Sequence, residues 1–527
     1  MIGSHLVPLM YFAMHLFYFC LNNVDSEKAS CNMGLGHVLF STCGGLAFVI
    51  SYTWLNFSGQ KQRKNNVDES PKCHEEIMQL CWKVYLVFLF AHQAFSASQS
   101  PCLLFGLLHI FMIFSYSQKA LTSHCSSNTQ HDQKQWQDAF TCGEWMVVSN
   151  LTTTLVGDFV VHLYKSTNDY NSHALFLPEN IRIAQAGLAG SVIGVACCQL
   201  TSGRVLLLGV FGTLAGMFGI VVGCLELELS FRKHEERMSF LPKSAQWIIQ
   251  FLSNELDVEV GGDVIHFQRY IVLGYWSFVL IASIPLTVRL CAWVEAGGIP
   301  SQTQHTLARK KRRVITARKF FHFVGALLFT PVTWLDSDMM ALSYAIAIAL
   351  LMILEIIRCF SLGRQQKSGI SLSLNAFYRI FLDEKDSLAA DGGLAITHIT
   401  LILGCAIPLW AYKIVNITDD SRFLTRLFPY VGVLVLGVGD SAGAVAGIIF
   451  GRHSWPGSSR TIEGSCCMFV SMVICLYLAG VERLSHVLST LAMVTLLEAA
   501  TSQIDNLCLP LAGTTLVALA AINLGSL

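Results

Sequence analysis

The chain has 527 residues, 53% of them hydrophobic and 13% charged, and its mean hydropathy is +0.53. That composition excludes an ordinary water-soluble globular protein and describes an integral membrane protein. Its 35 basic residues balance its 35 acidic ones, so overall charge gives no reason to expect a nucleic-acid partner.

A helix needs roughly 20 mostly apolar residues to cross the hydrocarbon, and segments of that kind recur along nearly the whole chain. They fall near 6–22, 33–57, 79–95, 101–117, 143–163, 181–200, 204–225, 269–292, 320–335, 338–358, 393–413, 425–450, 465–481, 484–500 and 507–525. The expected fold is therefore all-α, a polytopic integral membrane helix bundle of about 13 to 15 transmembrane helices. The segment 6–22 has neither a basic n-region nor a small-residue cleavage site, and reads as a first span. The 18 cysteines are scattered, without a Cys-x-x-Cys pair, and read as small apolar residues.

Two regions differ in character. Residues 1–307 form an N-terminal multi-span region whose polar residues follow no obvious pattern, with a long loop at 226–268. Residues 308–527 place ionisable residues beside or inside the spans, where they are costly and usually functional. The run "ARKKRRVITARK" (308–319) is the densest basic segment and should face the cytosol by the positive-inside bias. Counting crossings from it puts 359–392 and 451–464 on the same side, with 226–268 and 414–424 opposite, in the lumen.

In "ARKFFHF" (317–323) a helix would bring Arg318, Lys319 and His322 together at the mouth of a span. Interfacial anchoring explains the first two; a histidine at that depth asks for a further reason. "FLDEKD" (381–386) offers Asp383 and Asp386 three apart, a spacing that suits a divalent cation shared with phosphates as well as it suits a solvated charge cluster. His398 follows, a few residues into the next span.

The stretch "LGVGDSAGAVAGIIFGRHSWPGSSRTIEGS" (436–465) carries Gly439, Gly443, Gly447 and Gly451 at every fourth position, a stripe along one side of a helix. Close packing against another helix is one reading. Asp440 favours a second, in which the glycines break the helix and the chain after Asp440 lines a polar vestibule. Asp440 lies eleven residues before Gly451, about 16 Å along a continuous helix and so near mid-bilayer. The following loop supplies Arg452, Ser458, Ser459, Arg460, Thr461, Glu463 and Gly464 around a Pro-Gly turn. Glycines, hydroxyls and guanidinium forks are a chemistry that suits a polyphosphate. Near the C-terminal end, "LLEAATSQIDNLCLPL" (496–511) sets Glu498 and Asp505 two helical turns apart between apolar stretches, which should turn both acids to the bundle interior.

Taken in order, "RKFFHF", "FLDEKD" with "THI" and "PLW", "GVGDSAGAVAGIIFG", "WPGSSRTIEG" and "LLEAATSQIDNLCLPL" make residues 310–515 resemble the dolichol kinases, the CTP-dependent polyprenol kinases of the endoplasmic reticulum. The resemblance implies transfer of the CTP γ-phosphoryl group to dolichol, giving dolichyl phosphate for glycan assembly, by a multi-pass protein of that membrane with its active site facing the cytosol. It assigns CTP to the loop 451–464, where this chain has Ser459 and Arg460 in place of the family's usual paired lysines. On that basis CTP is expected to meet Gly439, Gly443, Gly447, Gly451, Arg452, Ser458, Ser459, Arg460, Thr461, Glu463, Gly464 and Lys319. Mg²⁺ or another divalent cation has Asp440, Asp383, Asp386, Glu498 and Asp505 as candidate ligands. The proton of the hydroxyl has Asp440, His322 and His398 as candidate acceptors. Phytol or farnesol kinases and cytidylyltransferases are chemical neighbours of this reading. A secondary transporter also places acids in broken spans, but has no use for an arginine-bearing Pro-Gly loop beside them.

Overall fold

The computed structural model describes residues 179–201, 209–230, 242–260, 263–296, 304–362, 397–415, 427–455, 458, 460–481, 485–500 and 505–523, with helical Leu155 and Phe159. Apart from those two residues, the spans expected before residue 179 lie outside the described residues, as do Asp383, Asp386 and Ser459. Eleven α-helices run through the described part: α1 Glu179–Thr201, α2 Gly209–Ser230, α3 Lys243–Ser253, α4 Tyr270–Glu295, α5 Gln304–Leu335, α6 Ser337–Leu362, α7 Thr397–Val415, α8 Ser441–Phe450, α9 Ile462–Leu478, α10 Ser485–Ala500 and α11 Asp505–Asn523. A 3₁₀ turn, Phe428–Tyr430, and a π-helix, Val433–Asp440, lead into α8 without a break. By length and composition Tyr270–Glu295, Ser337–Glu355 and Val433–Phe450 are each able to cross a membrane, with Ile462–Leu478 and Val487–Ala499 as shorter apolar helices.

The expected loop 226–268 is partly structured and adds one short hairpin to an otherwise helical fold. Strands β1, Glu255–Val260, and β2, Asp263–Gln268, form an antiparallel hairpin. The alternation in "ELDVEV" and "DVIHFQ" around two glycines is the signal. Ahead of the hairpin, α3 buries Ser244, Trp247 and Phe251. Glu226 of α2 accepts from the backbone N–H and hydroxyl of Ser244, at 2.8 and 2.6 Å, and so satisfies a donor that the first helical turn leaves open. The hairpin and α3 are then tied to the later spans through Arg269. It is buried over the Phe251 ring, 3.9 Å from its centroid, and donates to Asp336 at 2.5 Å. Asp336 sits between α5 and α6 and caps α6, accepting from Asp338 N at 3.1 Å and Met339 N at 3.0 Å.

Proline shapes the packing. A proline has no N–H, so the carbonyl four residues before it loses its helical partner. In α5, Pro331 frees the carbonyl of Leu327, and Tyr275 of α4 donates to it at 2.6 Å; Trp276 donates to the neighbouring Leu328 carbonyl at 2.9 Å. In α7, Pro408 frees the carbonyl of Gly404, and Gly432 lies so close that a Cβ there would be 2.4 Å from that oxygen. In α11, Pro510 frees the carbonyl of Asn506, and a Cβ on Gly404 would meet it at 2.1 Å. The last two freed oxygens are thus covered by the bare Cα of a glycine on a neighbouring segment, which a larger residue would hold away.

The core joins α6, α7, the 427–440 segment, α9, α10 and α11 around buried Tyr344, Leu409, Leu436, Met468, Met472 and Leu509. The segment 433–440 packs against α5, α9 and α11. Ala326 lies against Gly437 while Lys319 reaches Asp440, so α5 runs antiparallel to the 433–450 helix. The basic start of α5 and the 451–461 turn therefore share one end of the bundle. Asn506 donates to the Thr397 carbonyl at 3.1 Å and brings the starts of α7 and α11 to each other.

Candidate active site

The π-helix ends on Asp440, and π geometry is uncommon enough that its position beside an ionisable residue is informative. Asp440 is buried, 5% exposed, and its Oδ2 takes the ammonium of Lys319. One helical turn along α5, His322 is also buried, with Nε2 3.7 Å from the same Oδ2. The helix places Lys319 and His322 three residues apart on the face that meets Asp440, as the sequence spacing implied. His322 Nδ1 lies 2.9 Å from the carbonyl of Arg318, while its Nε2 has no hydrogen-bond partner.

The glycine stripe does not break the helix; that expectation is corrected. The 433–450 helix continues to Gly451, whose extended backbone ends it. The stripe is instead the seam with α9: Gly439 faces Met472 and Met468, Gly443 faces Met468 and the Gly464 carbonyl, and Gly447 faces Thr461. Gly464 completes the seam from the α9 side, close to the Gly443 carbonyl. These glycines let two helices approach, the close-packing alternative.

After Gly451 the chain folds into a tight turn. Ser454 bridges to Thr461, Trp455 N donates to the Arg460 carbonyl at 2.9 Å, and Ile462 N donates to the His453 carbonyl at 2.8 Å. Ser458 N donates to the Trp455 carbonyl at 3.1 Å, and the Ser458 hydroxyl accepts from Arg460 N at 3.2 Å. Thr461 caps α9 by accepting from Gly464 N, and Glu463 pairs with His453 at 2.6 Å. Trp455 Nε1 donates to the Ser465 hydroxyl at 3.0 Å and pins the turn to α9, a contact that sequence reasoning missed although an indole next to Pro-Gly was its signal. Ser458, Thr461 and Glu463 thus build the turn, and Arg452 is exposed beside it.

Arg460 points inward. Its Nε is 3.1 Å from Glu498 Oε1 on α10, and its Nη2 pairs with Asp505 Oδ2 at the start of α11. The charge of Asp505, and after it that of Glu498, makes the guanidinium hold its proton more firmly than usual in spite of burial. The charge of Arg460 acts on Asp440, and those of Asp440 and Lys319 act on Glu498, so the two ion-pair groups form one electrostatic centre. The structure therefore brings together Lys319, His322, Asp440, Arg460, Glu498 and Asp505. His398 stands on the first turn of α7, next to Thr397; the histidine beside Asp440 is His322.

Hard oxygens of the kind that suits a divalent cation are present here. Asp505 Oδ1 is buried without a hydrogen-bond partner, and Glu498 shares its arginine. No three His, Cys, Asp or Glu residues among those described form a ready-made metal cage. Mg²⁺ seldom uses one, taking one or two carboxylates with phosphate oxygens and water.

Comparison with known proteins adds homologues in mammals, a plant and yeasts, all named dolichol kinase. The Mus musculus dolichol kinase is 32% identical over 252 residues, 46% of this chain and 44% of that one. The Homo sapiens protein is 31% identical over 274 residues, 50% of this chain and 46% of its own. The Arabidopsis thaliana dolichol kinase is 28% identical over 312 residues, 55% and 52% of the two chains. In these matches this chain spans about half the length of its relatives. No family model and no solved structure matches the chain.

Proposed function

We propose that the chain is a dolichol kinase, transferring the γ-phosphoryl group of CTP to the terminal hydroxyl of dolichol. The observation that carries this reading is the convergence of Lys319, His322, Asp440, Arg460, Glu498 and Asp505 inside an apolar helix bundle. Buried acids and cations in spans are expensive, and their assembly from five separate segments asks for a ligand that repays the cost. Relatives named dolichol kinase supply the identity of that ligand.

Phosphoryl transfer to an alcohol depends mainly on positioning and on neutralising phosphate charge. Arg460 and Lys319 present a guanidinium fork and an ammonium to the triphosphate, and exposed Arg452 meets it at the turn. The seam glycines Gly439, Gly443, Gly447 and Gly464 act through packing: they bring α9, and with it Arg460, close to Asp440. Asp505 and Glu498 would hold Mg²⁺, which supplies further neutralisation of the phosphates. The dolichol tail stays in the bilayer while its hydroxyl reaches the centre. Positive-inside bias over 308–319 supports a cytosolic site, and the family resemblance supports the endoplasmic reticulum membrane.

The reading is tested by incubating membranes that contain the wild-type chain or Asp440→Asn with labelled CTP and a series of prenols. Wild-type membranes should label dolichol, and the variant should not, with activity normalised to the folded protein present. Transfer to phosphatidate, a preference for phytol or farnesol, or full activity in Asp440→Asn would overturn it.

A further inference from the structure

Resting on that kinase reading, we propose that His322 is the base that receives the acceptor alcohol's proton, so that its Nε2 marks the hydroxyl subsite.

The tautomer comes first. A carbonyl only accepts, so the 2.9 Å contact with the Arg318 carbonyl makes His322 Nδ1 the N–H donor. In the neutral ring the lone pair is then on Nε2. That atom is buried and unpartnered, in a side chain only 6% exposed. An open acceptor at such depth is costly unless a donor arrives, and a hydroxyl is a donor of the right size. Asp440 Oδ2, at 3.7 Å, is beyond hydrogen-bond reach of Nε2 and is taken by Lys319.

The carboxylates of the cluster are each held by a cation, Glu498 by Arg460. Asp440 is paired with an ammonium. Asp505 Oδ1 is open, but its carboxylate is already neutralised through Oδ2 by Arg460. Of the two open acceptor atoms in this cluster, His322 Nε2 is the one whose lone pair sits on a side chain not already held through another atom by a cation. Phe323, the next residue on α5, is 59% exposed, and Leu327 one turn on is 42% exposed, so α5 keeps an outward face about a third of a turn round from His322.

The step balances. The alcohol oxygen forms a bond to the γ-phosphorus while the bond from that phosphorus to the β–γ bridging oxygen breaks. CDP leaves with the electron pair. The hydroxyl proton goes to Nε2, and the imidazolium then loses it to water.

The test compares His322→Gln and His322→Asn in membranes with labelled CTP. Gln keeps an acceptor oxygen near the Nε2 position, Asn keeps a donor toward the Arg318 carbonyl, and neither takes a proton. With dolichol, kcat should fall about 100-fold or more, the usual size of a general-base contribution, while KM for dolichol and CTP moves less than about threefold. A dolichol analogue difluorinated beside the carbinol carbon, whose hydroxyl is more acidic, should recover part of the lost kcat. If either variant keeps wild-type kcat, or if the loss is the same with both acceptors, His322 is not the base. Wild-type membranes that label no prenol at all overturn the kinase reading instead, so the two failures are distinct.

Discussion

Lys319 on α5 and Asp440 at the end of the π-helix, 121 residues apart in the chain, form an ion pair inside the bundle. Both charges are largely removed from solvent, at 15% and 5% side-chain exposure. Removing one member of such a pair leaves an uncompensated buried charge, at about 3–5 kcal/mol, whereas replacing both by neutral groups is often mild. Lys319→Met should therefore lower the melting temperature of the purified protein markedly. The double variant Lys319→Met with Asp440→Asn should regain most of that loss yet stay inactive. Equal melting of the single and double variants would show that the pair carries no stability.

Arg460 bridges two acids through different nitrogens, Nε to Glu498 and Nη2 to Asp505. A lysine keeps the charge but has no fork with which to span both. Arg460→Lys should reduce kcat/KM for CTP by about tenfold, the size of one charge-assisted hydrogen bond, and leave KM for dolichol unchanged. Arg460→Ala should reduce it further, because Glu498 and Asp505 then face each other without a cation. Steady-state kinetics with CTP varied at saturating dolichol reads the difference.

Tyr275 and Pro331 make a compensating pair. The Tyr275 hydroxyl fills the Leu327 carbonyl that Pro331 leaves without a helical donor. Tyr275→Phe should destabilise the protein by about 1–3 kcal/mol, the cost of an unsatisfied polar group away from water. Pro331→Ala restores the missing N–H, so adding it to Tyr275→Phe should return most of the stability. Thermal unfolding of the three variants in one detergent checks this; an additive loss in the double variant would refute it.

The spans were legible because length and hydropathy dominate a membrane helix: 269–292, 425–450 and 484–500 are expected, and Tyr270–Glu295, 427–450 and Ser485–Ala500 are found. Polar residues in or beside the spans also pointed to the candidate site: His322, Asp440, Glu498 and Asp505 stood out against apolar neighbours, while Lys319 closed a basic run at the mouth of a span and Arg460 lay in the Pro-Gly turn. Their grouping was not legible. Helical spacing says which residues share a face, but not which face of another helix they will meet 121 residues later. The glycine stripe was misjudged for a related reason: spacing alone cannot show that α9 brings Met468, Gly464 and Thr461 against it. The π-helix has no signal in a run such as "VLVLGVGD", whose composition suits α geometry equally well.

Gly404 gives the sharpest test of the bundle's close approaches. A Cβ there would sit 2.1 Å from the Asn506 carbonyl oxygen and 2.9 Å from the Pro510 ring, and neither is the movable end of a flexible side chain. Relief requires α7 and α11 to separate, and Asn506 and Asp505 stand at the first turn of α11. Gly404→Ala should therefore cost at least the 1–3 kcal/mol typical of overpacking and also lower activity, because Asp505 moves away from Arg460. Gly274 on α4, where a Cβ would meet nothing within 4 Å, is the matched control. Gly274→Ala should leave both melting and dolichol phosphorylation near wild type, and equal effects at the two glycines would show that helix propensity, not the α7–α11 contact, sets the response.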